Sequence, residues 1–461
     1  MTIAFDAWKD GHVAPSRHEV GVVAPKAGPR LEAVSGRLKR ELIHPNRTSL
    51  LVGLRFSPDG GRVVAGDYPG GVVVVWDLTS GEQQRVIETG YGYRGSYEYF
   101  FLSPDWHSLF VGREKRHYER VERDGKRLIR WDYDGDVRCW DLATGRLQRT
   151  FKHQPGRNVR HMQLAPDGAH FVTLEQLPGT YEKGPPSAVS LWDVATGRHR
   201  PLSPDCRGGI GRFSADGRVL AIEVAGKDDY ARAVRLIDVA TGAERLSIPV
   251  RDKNTSAYAC AFSPDGRLLA GDCRVFAQAK KWDHWQGWLK WWDTATGQEV
   301  VSFPADKDDM LWHHRFSRDG RTFALTNWRG KQAKLLLFSV PHRRLDRTVV
   351  LGQTVKGERF VTSEPAFSPD GRWLAITTQT LPDKRGADLD VRDLPQPRIH
   401  LIDVAAGVER ETLVSPQGFS HGACCFSPDG KTLATAGLGR ILLWDMSRPP
   451  GAAVGGRASL P

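Results

Sequence analysis

Cysteine is scarce in this chain, six in 461 residues, and no two have the CxxC spacing of a zinc or redox site. That speaks against a disulfide framework and a thiolate metal centre. Long apolar runs are also missing. No stretch approaches the length that spans a bilayer, and the first residues lack the apolar centre of a secretory signal, so a soluble, cytoplasmic protein is expected. Glycine-rich phosphate loops, GxSxG and HExxH are absent too, which removes the best-marked nucleotide, hydrolase and zinc-protease signatures. His313 and His314 are adjacent in an expected strand, where neighbouring side chains point to opposite faces, so they do not suit one metal. Neither a metal nor a cofactor is expected. A formal charge of +11 raises the question of nucleic acid, but the most charged segment, Arg113 to Asp136, mixes eight Lys/Arg with seven Asp/Glu. Such a mixture reads as a solvated surface rather than a phosphate track, and a nucleic-acid partner is not expected.

What the chain does have is a repeat. Eight times an aromatic residue or leucine leads a Ser-Pro-Asp-Gly-like turn, followed by an apolar stretch, a Trp-Asp-like pair and in most copies a Thr-Gly-like turn. The clearest copies run from Phe56 to Asp77, Phe262 to Asp293 and Phe426 to Asp445; the other five begin at Leu102, Leu164, Phe213, Phe316 and Phe367. Proline presets φ at the first central position of the turn and glycine closes it, so two antiparallel strands meet there. Before each Trp, apolar residues recur with period two, as at Val73 and Val75, Val189 and Leu191, and Ile441 and Leu443. Period two marks strands rather than helices. Each copy therefore specifies a four-stranded sheet.

This pattern resembles the WD40 family of β-propellers over roughly residues 36 to 446. The resemblance implies an all-β, eight-bladed propeller of four-stranded antiparallel blades, with residues 1–35 a partly flexible extension and 447–461 a flexible tail. Gly36–Leu42 aligns with the fourth strand at Gly145–Phe151, whereas only a Pro/Gly/Ala-rich segment follows Trp444-Asp445. The N-terminal segment is thus expected to complete the last blade and close the ring, which protects the sheet edges. The vicinal pair Cys424-Cys425 has a counterpart in quinone-cofactor dehydrogenases with eight blades, where such a pair forms a disulfide. Here Cys424 stands two before Phe426, as Cys260 stands two before Phe262, and both read as small buried first-strand residues.

The two faces of such a ring differ. One carries the short repeated turns; the other carries second-to-third-strand loops of uneven length at 113–136, 175–187, 273–288 and 377–398. Long loops on a rigid frame are where binding surfaces are usually built. In the third of these, Lys280, Lys281, Trp282, Trp285 and Trp288 bring three tryptophans outside the repeat pattern, and Trp312 and Trp328 of the next blade should share their sector. These residues form either a partner-binding hot spot or a self-packed mini-core. A secondary sector is offered by Tyr118, Trp131 and Tyr133. Arg55, Arg212 and Arg315 each precede a turn-leading Phe, near the expected ring axis, and suit an anion-holding channel or ordinary salt bridges.

The resemblance implies a non-enzymatic scaffold or adaptor, probing a protein or peptide with its variable face and acting as a monomer. Two alternatives stay open: a propeller-framed enzyme, hydrolase or quinone-dependent dehydrogenase, and a carbohydrate- or nucleic-acid-binding module using the aromatic loop.

Overall fold

The computed structural model describes residues 36–451 except 69–70, 91–99, 114–115, 124–125, 134, 155, 178, 182–186, 207–209, 226–230, 250–254, 277–284, 306–310, 328–331, 354–357, 383–394 and 417–421. Every regular element described is a strand, and eight antiparallel sheets form the blades of a propeller. Blade 1 is typical: Leu50–Phe56, Arg62–Tyr68, Val72–Asp77 and Gln83–Glu88 lie side by side in chain order.

Blades exist because they stack. Within a third strand both faces are apolar: Val73 and Val75 on one side and Val74 and Trp76 on the other are all buried. One sheet cannot bury two such faces alone, so each needs a neighbour on either side. The core is accordingly divided into eight clusters, one between each pair of adjacent blades. The cluster made by Leu42, Ala434, Ile441 and Leu443 with Leu51, Val63, Val74 and Trp76 joins the last blade to the first, so the ring is closed.

Closure uses the N-terminal strand, as the sequence leads one to expect. Leu38–Ile43 pairs antiparallel with Arg440–Asp445, setting Leu38 opposite Trp444 and Leu42 opposite Ile441. Arg37 acts as a clasp beside it. Its guanidinium is almost fully buried, lies 2.7 Å from Glu411 Oε1, and donates to the carbonyls of Asp445, Arg448 and Pro449. The residues just after the last Trp-Asp pair are thereby held to the ring.

The turns explain themselves chemically. In seven of the eight, the serine hydroxyl donates to the aspartate two residues on at 2.5–2.6 Å. The aspartate in turn accepts the backbone N–H two residues beyond it, as from Gly61, Arg267 and Lys431. The eighth turn, at Ala165-Pro166-Asp167-Gly168, lacks the serine but keeps the aspartate bond, to Ala169 N. In blade 2, Trp106 stands where the others have glycine and adopts φ 59°. Burial in the cluster between blades 1 and 2, with the Arg62 guanidinium 5.7 Å from its ring, offsets that backbone cost.

One blade carries a buried polar network. Glu175 of blade 3 lies 3.0 Å from His153 Nδ1 and 2.8 Å from Arg157 Nη1, and accepts from the Thr173 hydroxyl, which accepts from Trp192 Nε1. Burial would raise the Glu175 pKa, but His153 and Arg157 hold it down at about 2.

Candidate functional site

The face of short turns is chemically occupied. Each Trp-Asp-type aspartate that heads a Thr-Gly-like turn accepts backbone N–H groups within that turn, for example Asp77 from Thr79 and Ser80, and Asp293 from Ala295 and Thr296. These bonds hold such carboxyls below their usual range, the turn's own N–H or hydroxyl donors being the leading cause. Their acceptors are used inside the fold, which is a structural role rather than a catalytic one.

A recurring contact that sequence reading missed ties blade to blade on this face. Arg40, Arg85, Arg149 and Arg200, on four fourth strands, each donate to carbonyls in the next blade's turn: Leu78, Ala143, Val194 with Ala195, and Val239 with Ala240. Arg40 makes this bond across the closing seam, from the last blade to the first. The signal was present as an arginine early in successive fourth strands, beside the glycine of the neighbouring turn.

The opposite face is irregular, and the described residues of its long connections include added strands. In blade 2 the charged second-to-third connection is an extended hairpin, as the sequence suggests, with Arg116–Arg123 paired to Lys126–Tyr133. Gly179–Tyr181, from the corresponding connection of blade 3, adds to it, with Gly179 opposite Trp131 and Tyr181 opposite Ile129. Two connections thus merge into a three-stranded sheet separate from the blades. Tyr118 and Trp131 are register partners in it, and Tyr133 pairs with Arg116.

The aromatic sector differs from the sequence reading in one respect. The connection expected over 273–288 is mostly strand: Leu268–Phe276 runs antiparallel to Trp285–Asp293, pairing Phe276 with Trp285 and Cys273 with Trp288. Trp285 and Trp288 therefore continue the third strand instead of lying in a loop. Val275, Phe276 and Trp285 are β-favouring residues, and the pairing extends the hairpin outward through them. Trp288 is half-buried and packs on the cluster between blades 4 and 5. Trp312 falls in the first strand of blade 6, Leu311–Phe316. Lys280, Lys281, Trp282 and Trp328 lie outside the described residues.

At the axis, the first strands of neighbouring blades touch one another and form the inner wall. Leu54, Phe100, Met162 and Cys424, each two before a turn leader, are buried between blades. Arg55 and Arg315, each one before its turn leader, are exposed and Arg212 is half-buried; Glu364, three before Phe367, is exposed as well. Water reaches this carboxylate although the ring surrounds it. The enclosure would raise its pKa, but Arg315, His313, Arg212 and Arg55, in that order, hold it down at about 2. Each of the three arginines singled out from sequence thus acts on the charge of Glu364, an acid that sequence reading passed over. Burial lowers His313 to about 4, against the pull of Glu364. Burial also pushes the Cys424 and Cys425 thiols up to about 11 and about 12, and both are free cysteines.

Among known proteins, the family model for the WD domain, G-beta repeat, matches residues 419–445, which is most of the last blade. Apoptotic protease-activating factor 1 of Rattus norvegicus is 23% identical over 298 residues, covering 58% of this chain and 21% of that protein. The Homo sapiens protein of the same name is 24% identical over 207 residues, covering 43% and 14%. This chain thus spans about a fifth or less of the length of these relatives. Among solved structures, the dihydro-heme d1 dehydrogenase NirN is similar with a TM-score of 0.54 and 16% identity, covering 85% of this chain and 76% of that one, a likeness of fold. No helix among the described residues is long and apolar enough to cross a membrane. With eight copies of the repeat, one matched by the WD-domain family model, and the ring closed by its own N-terminal strand, the chain folds as an eight-bladed β-propeller of WD40-like repeats.

Proposed function

We propose that the ring is a non-enzymatic scaffold that binds a protein or peptide on the face of long connections. The observation that carries this reading is the contrast between the faces. Turn-face acceptors are consumed by the fold, whereas the opposite face presents an added three-stranded sheet and a long aromatic hairpin. Rigid ordered projections lose less entropy on binding than free loops, which suits a recognition surface. The site assigned is Lys280, Lys281, Trp282, Trp285, Trp312 and Trp328, with Trp288 as its packed base. The merged sheet bearing Tyr118, Trp131 and Tyr133 is a second contact. Tryptophan beside lysine is the composition of a hot spot, a large apolar surface rimmed by charge.

The test is affinity capture from native lysate with the full chain and with a variant whose residues 277–284 are replaced by a two-residue turn. A single stoichiometric protein partner, lost with the variant, is the expected result. Trp285→Ala should weaken that complex by about 2 kcal/mol while the melting temperature holds. Capture of no protein, together with turnover of a small substrate, would overturn the reading in favour of a propeller-framed enzyme.

A further inference from the structure

Between blades 6 and 7, at the strand ends nearest the face of long connections, lies a cavity of about 470 Å³. That is within the roughly 300–1,000 Å³ of small-molecule sites. The second strand of blade 7, Trp373–Pro382, outruns the third, Arg398–Asp403, whose first residue pairs with Thr378, and the cavity occupies the space beside its outer end. One side of it is apolar: Leu351 and Phe360 are buried and Val414 is half-buried. Gly352 lets the outer strand of blade 6 lie close there, since a Cβ would come within 2.7 Å of the Phe360 ring.

The other side is polar. Leu374, Ile376 and Ile402 pack in the cluster between blades 6 and 7, so strand alternation brings Thr378, Thr380, His400 and Arg398 to that same side. Thr378 is buried, and its hydroxyl lies 2.8 Å from His400 Nε2, while His400 Nδ1 lies 3.0 Å from Glu409 Oε1. Lys290 with Glu299 and Arg235 with Glu244 make the corresponding pair in blades 5 and 4, nearer solvent. An imidazole has a second nitrogen and passes the bond on. In the neutral ring, Nδ1–H donates to the carboxylate and Nε2 accepts from the Thr378 hydroxyl. Thr378, which lines the cavity, is thereby left with lone pairs to offer and no proton.

Arg398 stands directly opposite Thr378 in the ladder and is exposed. Its side chain, like those of Gln353, Thr380 and Gln396 around the same cavity, makes no hydrogen bond or ion pair with any described residue. The Arg398 charge reaches Glu409, but Glu409 Oε1 is taken by His400 and Thr412. Gln379, on the other face of the strand, donates to the Pro395 carbonyl at 3.1 Å and fixes the wall that carries Gln396. No carboxylate is among the described residues that line the space.

We propose that this cavity binds an organic carboxylate with a neighbouring amide N–H and an apolar side chain, the chemistry of an N-acylated amino acid or of a peptide's C-terminal residue. Arg398 takes the carboxylate with the fork of its guanidinium. Thr378 accepts the N–H, and the side chain lies on Leu351, Phe360 and Val414. The proposal goes beyond the scaffold reading and does not depend on it, because small acids test it with no protein partner present.

The experiment titrates the full chain with N-acetyl-leucine and with a tetrapeptide ending in leucine, each as the free acid and as the C-terminal amide, following heat of binding. One saturable acid per chain is expected, with the amide about tenfold weaker or more, a charged hydrogen bond being lost. N-methylation of the leucine nitrogen should weaken binding severalfold by removing the N–H. Arg398→Ala should weaken the acid about tenfold or more at an unchanged melting temperature, a pattern that a merely structural arginine would not give. Binding of the tetrapeptide alone would assign the site to peptide termini, and binding of N-acetyl-leucine alone would assign it to free small acids. The comparisons between ligands need no variant to fold. Equal binding of acid and amide, binding unchanged by N-methylation or by Arg398→Ala, or no binding of either acid would each overturn the proposal.

Discussion

On one face of the ring, the same serine, aspartate and glycine recur blade after blade and spend their donors and acceptors on one another. On the other, blade 2 sends out a hairpin that captures a strand from blade 3, and blade 5 prolongs its central strands to Phe276 and from Trp285. The difference teaches where each kind of change should register. A repeated turn is part of a collective structure and should answer in stability; an outlying projection is borne by one blade and should answer in recognition.

The largest effect should come from neither face but from the seam that both depend on. Deleting residues 1–43 removes the buried Leu42 and Arg37 together with the pairing of the closing strand. The expected loss is on the order of 5 kcal/mol, from one buried leucine, its strand bonds and the opened cluster. A thermal melt checks it, and an unchanged midpoint would show that the ring does not need closure.

Next comes the buried network of blade 3. Glu175 has a depressed pKa, so its contribution is fully present above its ordinary 4.5 and is lost as pH falls towards about 2. Glu175→Gln should cost about 3 kcal/mol at pH 7, by leaving His153 and Arg157 without their carboxylate. The variant's stability should also fall less steeply than the parent's between pH 4.5 and 2. Denaturant titrations at several pH values measure both, and parallel acid limbs would deny Glu175 this role.

On the turn face, Gly266 has φ 72° with open space around a would-be Cβ. Gly266→Val should therefore cost about 2 kcal/mol through backbone strain alone and leave partner binding untouched. Loss of binding at native stability would erase the proposed division between the faces. The smallest effect is expected for Arg149→Ala, whose bonds to Val194 and Ala195 are at the surface. About 1 kcal/mol is expected, seen as a shift of a few degrees at most, and an equal shift for Arg85→Ala would mark the bridge as a general device of the ring.

The architecture could be read from the chain because its determinants are local. Ser263-Pro264-Asp265-Gly266 makes its turn by bonds within five residues, and the alternation before Trp292 needs only its own strand. Even closure was legible, since Gly36–Leu42 repeats a fourth-strand pattern. Pairings between distant segments were not. Nothing in Gly179-Thr180-Tyr181 announces a partner at Ile129–Trp131, and although Val275, Phe276 and Trp285 favour strand, nothing local sets the register that pairs Arg274 with Gly287 and Phe276 with Trp285. Arg55, Arg212 and Arg315 share a repeat position that the sequence displays, but Glu364, which feels their charge, stands at another position of another blade. Only the assembled ring puts it in their field.

Closure by the first strand also sets a schedule for synthesis. Leu38–Ile43 leaves the ribosome about 400 residues before Arg440–Asp445, the strand it must pair with. During that interval its N–H and C=O groups and Leu42 have no native partner, and at ordinary elongation rates the wait lasts tens of seconds. A waiting strand is an open invitation to neighbouring nascent chains. The basic flank Arg37-Leu38-Lys39-Arg40, whose arginines later serve as clasp and bridge, gives it charge repulsion against its own copies meanwhile.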